Sequence, residues 1–233
     1  MRSYYESAIR KLDSPRISSR AKEGLADHLM VAYLWEKEDL SDDSLVRLFF
    51  EKATSETREY ALWFIGRQLE ELPKMNIEQQ EQELFIKRAM ELWKWRLEEA
   101  DRADSQTRSR FMDELEKFGI WFVSEHLDRA WAISQLVKTL ELTEGRMEHG
   151  YSVIEALRSY VDENYIDVLK VLSLFVKGDR EGWIVMSSRD KIKDILKSII
   201  SNHPRHEIKG ISNELVNNLT KKGYHEFAEF FIR

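Results

Sequence analysis

Asn76-Ile-Glu-Gln-Gln-Glu-Gln-Glu-Leu-Phe-Ile-Lys-Arg-Ala-Met-Glu-Leu-Trp-Lys-Trp-Arg-Leu-Glu-Glu-Ala100 is the stretch that decides the fold. Leu84, Phe85, Ala89, Leu92 and Trp93 recur at intervals of three and four, the period of one helix face and not the alternation of a strand. Charged and amide side chains fill the intervening positions and suit a solvated face. Asn76 and Gln79 have the spacing of a capping box, so a long helix is expected from there to about Ala100.

The same period extends in both directions. Upstream, a helix is expected over residues 3–12, stopped by Asp13-Ser14-Pro15. A second is expected over 19–35, with Leu25, Leu29, Ala32 and Tyr33 on one face. Ser41 reads as an N-cap, with Asp42 and Asp43 in the first turn, where the helix dipole favours acids. Leu45, Leu48, Phe49 and Ala53 belong to that helix. Thr54 or Ser55 opens another, carrying Tyr60, Ala61, Phe64, Ile65 and Leu69 and ending before Pro73. Downstream, Ser105 starts a helix expected to run through Phe111, Leu115, Phe118, Trp121 and Phe122.

Asp128 reads as the cap of a helix holding Trp131, Ile133, Leu136, Val137 and Leu140. Two more helices are expected at 151–162 and 165–177. Ser187 with Asp190 resembles a second capping box, ahead of the stripe Ile192, Ile195, Leu196, Ile199 and Ile200. Pro204 suits the first turn of a helix running to Gly223, and Tyr224 to Ile232 a last short turn. The sum is about eleven helices with no strand between them. The fold class is all-α. Short paired helices imply stacked antiparallel hairpins, a HEAT-like α-solenoid in one domain spanning 1–233, with an irregular helical bundle as the alternative.

Composition excludes several function classes. Among 233 residues there is no cysteine, so neither a disulfide scaffold, a thiolate zinc site nor a thiol nucleophile is available. Hydrophobic residues make up 42% and aromatics 11%, with seven tryptophans, which opposes disorder. The net charge of −6 gives no general attraction to nucleic acid or anionic lipid. The acidity sits in residues 1–126, which carry 20 Lys and Arg against 26 Asp and Glu, while 127–233 carry 16 of each. Residues 1–12 lack the apolar centre of a signal peptide. The apolar run Val171 to Val176 is far short of the ~20 residues that span a bilayer, and a cytoplasmic location is expected.

No catalytic, cofactor or metal residues emerge. Gly145 and Gly150 have phosphate-loop spacing, but Tyr151 stands where the phosphate-binding lysine belongs, and no strand precedes them. His203 and His206 flank a proline at a helix start and do not share a face. Ser-His-Asp chemistry lacks a Gly-x-Ser-x-Gly turn. Carboxylate pairs such as Glu70-Glu71 and Glu98-Glu99 lie on helices rich in Lys and Arg, where solvated salt bridges explain them.

The tryptophans are the unusual feature. Most fall on apolar stripes, whereas Trp35 and Trp95 lie at the margins, and Trp95 has Arg96 beside it. Marginal aromatics next to arginine are typical of interaction hot spots, which makes Trp35, Trp95 and Arg96 a candidate interaction surface. Arg189, Lys193 and Lys197 form a second, basic stripe at i, i+4 spacing, within a segment (177–222) of ten Lys and Arg against six Asp and Glu.

Several segments carry a family resemblance when taken together. They are Leu48-Phe-Phe-Glu-Lys-Ala53, Arg58-Glu-Tyr-Ala-Leu-Trp-Phe-Ile-Gly-Arg67 and Leu92-Trp-Lys-Trp-Arg-Leu97, followed by Phe118-Gly-Ile-Trp-Phe122, Gly178-Asp-Arg-Glu-Gly-Trp183 and Gly223-Tyr-His-Glu-Phe227. The set resembles the helical, HEAT-like C-terminal region of large bacterial NACHT/STAND-type NTPases, over residues 41–230. The resemblance implies a sensing or docking solenoid without the nucleotide site, which in such proteins lies in a separate upstream domain. The expected function is therefore a non-enzymatic scaffold whose partner is another protein. The alternative is a HEAT-like nucleic-acid-binding or DNA-repair protein, which the acidic balance opposes.

Overall fold

In a computed structural model of the chain, which describes residues 2–35, 40–41 and 43–233, the described residues form helices, turns and loops with no strand. They include twelve α-helices, in two compact units, Met1–His126 and Leu127–Arg233.

The N-terminal unit contains α1 (Arg2–Ile9), α2 (Ser19–Trp35), α3 (Leu45–Lys52), α4 (Ser55–Glu71), α5 (Gln79–Arg102), α6 (Ser105–Glu116) and α7 (Phe118–Val123). The second helix has the bounds its sequence pattern implies. The first is shorter than expected, with a turn after Ile9, and the cap of α3 is Ser44, not Ser41, its hydroxyl accepting the Arg47 N–H at 3.2 Å. Asp42 lies outside the described residues. In α5 the capping box belongs to Glu78 and Glu81, the Glu78 N–H donating to the Glu81 carboxylate at 3.3 Å. A 3-10 turn at Leu72–Lys74 and the non-helical backbone after it delay the helix by two residues relative to Asn76 and Gln79.

The helix expected to continue from Ser105 to Phe122 breaks at Lys117, whose N–H closes a tight turn onto Glu114 O at 3.1 Å. The break lets α7 turn its aromatic face onto α5. Phe118 stacks on Trp93 with ring centroids 4.7 Å apart, and Trp121 packs edge-on to Phe118 at 4.8 Å. The buried Trp121 indole N–H is satisfied by Leu62 O of α4 at 2.8 Å. Helix α4 packs on α2, α6 and α7, while α1 packs on α3. Tyr33 and Arg88 tie α2 to α5 reciprocally: the Tyr33 hydroxyl donates to Arg88 O at 2.8 Å, and the Arg88 guanidinium to Tyr33 O.

Gly66 marks the closest approach of α4 and α7. A Cβ there would overlap Ile120 Cγ2 and lie 3.0 Å from Trp121 Cδ1. Gly66→Ala is expected to cost about 1–3 kcal/mol by overpacking, read as a lowered midpoint in urea unfolding. A wild-type midpoint would contradict this packing.

The C-terminal unit contains α8 (Arg129–Leu142), α9 (Gly150–Ala156), α10 (Val161–Gly178), α11 (Trp183–Asn202) and α12 (Arg205–Lys221). Asp128 caps α8 as expected, its carboxylate accepting the Trp131 N–H at 2.8 Å. The helix expected at 151–162 is α9 plus a 3-10 turn (Leu157–Tyr160), and α10 is interrupted at Asn164 (φ −121°, ψ 27°). Helix α10 packs on α8, α11 and α12, and α9 packs on α11. A final 3-10 turn, His225–Phe230, covers α12 and inserts the fully buried Phe227.

Helix α11 begins four residues before Ser187. Gly182, at φ 79°, starts it, and the buried Asp179 carboxylate accepts the Val185 N–H at 2.8 Å. Ser187 is inside the helix, its hydroxyl returned to Ile184 O at 3.1 Å. The capping-box spacing of Ser187 and Asp190 is thus incidental. No helix among the described residues is long and apolar enough to cross a membrane.

Candidate functional site: an arginine–aromatic cavity and an exposed tryptophan

The Trp95–Arg96 step of α5 faces α3 and α6 across a cavity of about 420 Å³. Arg96 is 4% exposed, so it lies beneath the surface on which its sequence position placed it. Its guanidinium sits 4.8 Å from the Phe50 ring centroid, 4.9 Å from Trp95 and 4.7 Å from Phe111. Three ring faces thus replace much of its hydration with cation–π contact. Trp95 is half-buried, edge-on to Phe50 at 5.6 Å and covered on a face by the Arg47 guanidinium at 5.2 Å.

One carboxylate balances the interior of this cluster. Glu114 of α6, fully shielded, pairs ionically with Arg58, whose Nε lies 2.6 Å from one oxygen, and accepts a hydrogen bond from an Arg96 terminal nitrogen at 2.7 Å on the other. Arg58 also donates to Phe50 O at 3.3 Å and Ala53 O at 3.1 Å, closing the C-terminus of α3. Burial pushes the Arg96 pKa down from its ordinary value, and Glu114 opposes that shift. Arg110 stands at the rim, exposed. Four guanidiniums therefore line one cavity: Arg47, Arg58, Arg96 and Arg110. The other lining carboxylates have cations of their own, Lys52 at 2.6 Å from Glu51 and Arg102 at 3.4 Å from Glu99.

No protein-family model matches the chain, and neither a curated protein nor a solved structure matches it.

Trp35 does not join Trp95. It is half-buried against Phe85, ring centroids 4.8 Å apart, and Phe85 precedes Trp95 by ten residues on α5, or about 15 Å of helix rise. The basic stripe lies in the C-terminal unit and is largely engaged there. Arg189 reaches Glu226 at 3.6 Å and Asp190 at 3.8 Å, and Lys193 sits 5.6 Å from the Phe227 ring centroid. Lys197 is exposed, without an ion pair among the described residues. The His203 Nε2–H donates to Val161 O, 3.0 Å away, and the ring stacks on Tyr165 at 3.9 Å.

The most exposed tryptophan is one the sequence pattern passed over. Trp183, the first residue of α11, is 63% exposed, and Met186, one turn on, is 55% exposed. On the neighbouring α9, Tyr151 is 45% exposed, with Lys191 of α11 over its ring at 3.6 Å. Placing the helix start at Ser187 hid this face, because Trp183 then reads as part of a loop. The signal available was Gly182, whose left-handed backbone favours glycine just before Trp183. Arg47, Arg58, Arg110 and Glu114 had no comparable signal, since three helices deliver them from separate parts of the sequence.

Proposed function

We propose that the chain is a non-enzymatic α-helical repeat module that docks another protein through the α9–α11 face. The observation that carries this reading is the solvent exposure of Trp183 and Met186 on one helical turn, large apolar side chains of the kind that anchor interfaces. The packing order supports the repeat reading. In the C-terminal unit α8 packs on α10, α10 on α12 and α9 on α11; in the N-terminal unit α2 packs on α4, α4 on α6 and α1 on α3. These pairs, two apart in sequence, stack as helices do in the two layers of a solenoid. A docking role also suits the resemblance to the C-terminal regions of NACHT/STAND NTPases.

The test compares the wild-type chain with the double variant Trp183→Ser/Met186→Ser in nuclease-treated lysate. Both positions are exposed, so the variant is expected to melt as the wild type does. A protein retained stoichiometrically by the wild type and lost by the variant supports the reading. Retention by both would overturn the assigned face, and capture that disappears with nuclease would favour nucleic acid instead.

A further inference from the structure

We propose that the cavity between α1 and α2 is a binding site for an apolar monocarboxylate of the fatty-acid class. The two helices and the turns that join them enclose about 540 Å³, within the range of small-ligand sites. The walls are largely apolar. The Tyr4 and Tyr5 rings stand edge to face at 6.0 Å, and Leu12, Ile17 and Leu25 complete the lining. Ile17 and Leu25 are only half-buried, so apolar surface is left open to an occupant. Gly24 singles this cavity out. It is the sixth of the 17 residues of α2, an interior position where glycine is less favourable than alanine. The usual reasons for such a glycine are absent. Its φ is not left-handed, and a Cβ built on it meets nothing within 4 Å, so no neighbouring element needs the space. What Gly24 does border is the cavity, and an occupant that comes close to the α2 backbone supplies the missing reason.

The polar groups of the lining set the sign of that occupant. Lys11 is exposed there and makes no ion pair among the described residues. No Asp or Glu lines the cavity, although the N-terminal unit as a whole is acidic. His28 donates its Nδ1–H to Gly24 O at 2.7 Å, because a carbonyl oxygen can only accept, and the ring is thereby tied to its own helix. One ammonium beside apolar walls complements one carboxylate on an apolar body: the chain of the ligand leaves water while its charge stays paired and partly solvated. A dianion would find a single cation here. This inference is independent of the docking reading, because it concerns α1 and α2 and leaves Trp183 untouched.

The full-length chain is titrated by calorimetry with decanoate, butyrate and decylammonium, each kept below its micellar concentration. Saturable one-to-one binding of decanoate is expected, about a hundredfold or more tighter than butyrate because of the buried methylenes. Decylammonium, with the same chain and the opposite charge, is expected to bind about tenfold or more weaker than decanoate. Lys11→Glu changes an exposed side chain, so its melting temperature should match the wild type while the preference reverses toward decylammonium. Gly24→Leu separates a ligand role from a packing role. It is expected to melt as the wild type does or higher, since leucine favours the helix interior, and to lose decanoate binding because its side chain fills the cavity. Absence of saturation, equal binding of the two decyl compounds, an unchanged preference in Lys11→Glu, or a Gly24→Leu variant that binds as the wild type does would each overturn the proposal. A lowered melting temperature of Gly24→Leu would also overturn it, by showing that the glycine is kept for packing.

Discussion

Glu114→Ala is expected to lower the thermal midpoint by roughly 10 °C, through a loss of about 3–5 kcal/mol. The carboxylate is fully shielded and is shared by Arg58 and Arg96, so its removal leaves two guanidiniums facing each other in a low-dielectric interior. Arg96 is only 4% exposed and is packed among three aromatic rings, so little water reaches its charge. Removing the cation together with the anion is expected to cost less. Arg96→Met/Glu114→Leu replaces the buried pair by apolar volume, and its midpoint should lie above that of Glu114→Ala. Thermal unfolding followed by circular dichroism checks both. A single variant that melts with the wild type, or a double variant that melts lower than the single, would remove the claim that charge balance organises this cluster.

Gly145→Ala is the second large effect, expected to cost about 3 kcal/mol or more. Gly145 has φ 80°, a left-handed conformation, and its hypothetical Cβ would overlap Leu174 O and lie 2.9 Å from Gly178 Cα. Gly178 faces the reciprocal constraint, its Cβ 2.7 Å from Gly145 Cα. Two backbones touch here, and neither is the flexible end of a side chain. The loop that sequence spacing brings nearest to a phosphate loop thus has a packing reason for its first glycine. Gly210→Ala is the matched control: it lies within α12 with nothing within 4 Å of a new Cβ, and should stabilise by up to about 1 kcal/mol. Urea midpoints for the two variants are expected to move in opposite directions.

Helix existence was legible in the sequence because burial repeats within a local window. Ser19–Trp35 and the Asp128 cap follow directly from such windows. Boundaries were less legible where two cap patterns compete. Asn76/Gln79 and Glu78/Glu81 have the same spacing, and only the 3-10 turn at Leu72–Lys74 separates them. Ser187/Asp190 mimicked a cap that Asp179 provides from outside the pattern. The break at Lys117 serves Trp93, a residue of another helix, and no window containing Lys117 includes it. The arginine–aromatic cavity is the extreme case. Trp95 and Arg96 stood out as a marginal pair, but Glu114 and Arg58 reach them only through tertiary packing.

The tryptophans give the molecule built-in optical reporters. Trp93 and Trp121 are sealed in the N-terminal unit, whereas Trp183 stands in solvent on the C-terminal one. The sealed indoles emit toward the blue and are sheltered from a dissolved quencher; Trp183 emits toward the red and is open to it. Unfolding of the first unit then registers as a colour change, and occupation of the α11 face as protection from quenching. The chain has no cysteine. A single introduced thiol would therefore carry a dye to one chosen place, where energy transfer from the native indoles would read distance as well as state.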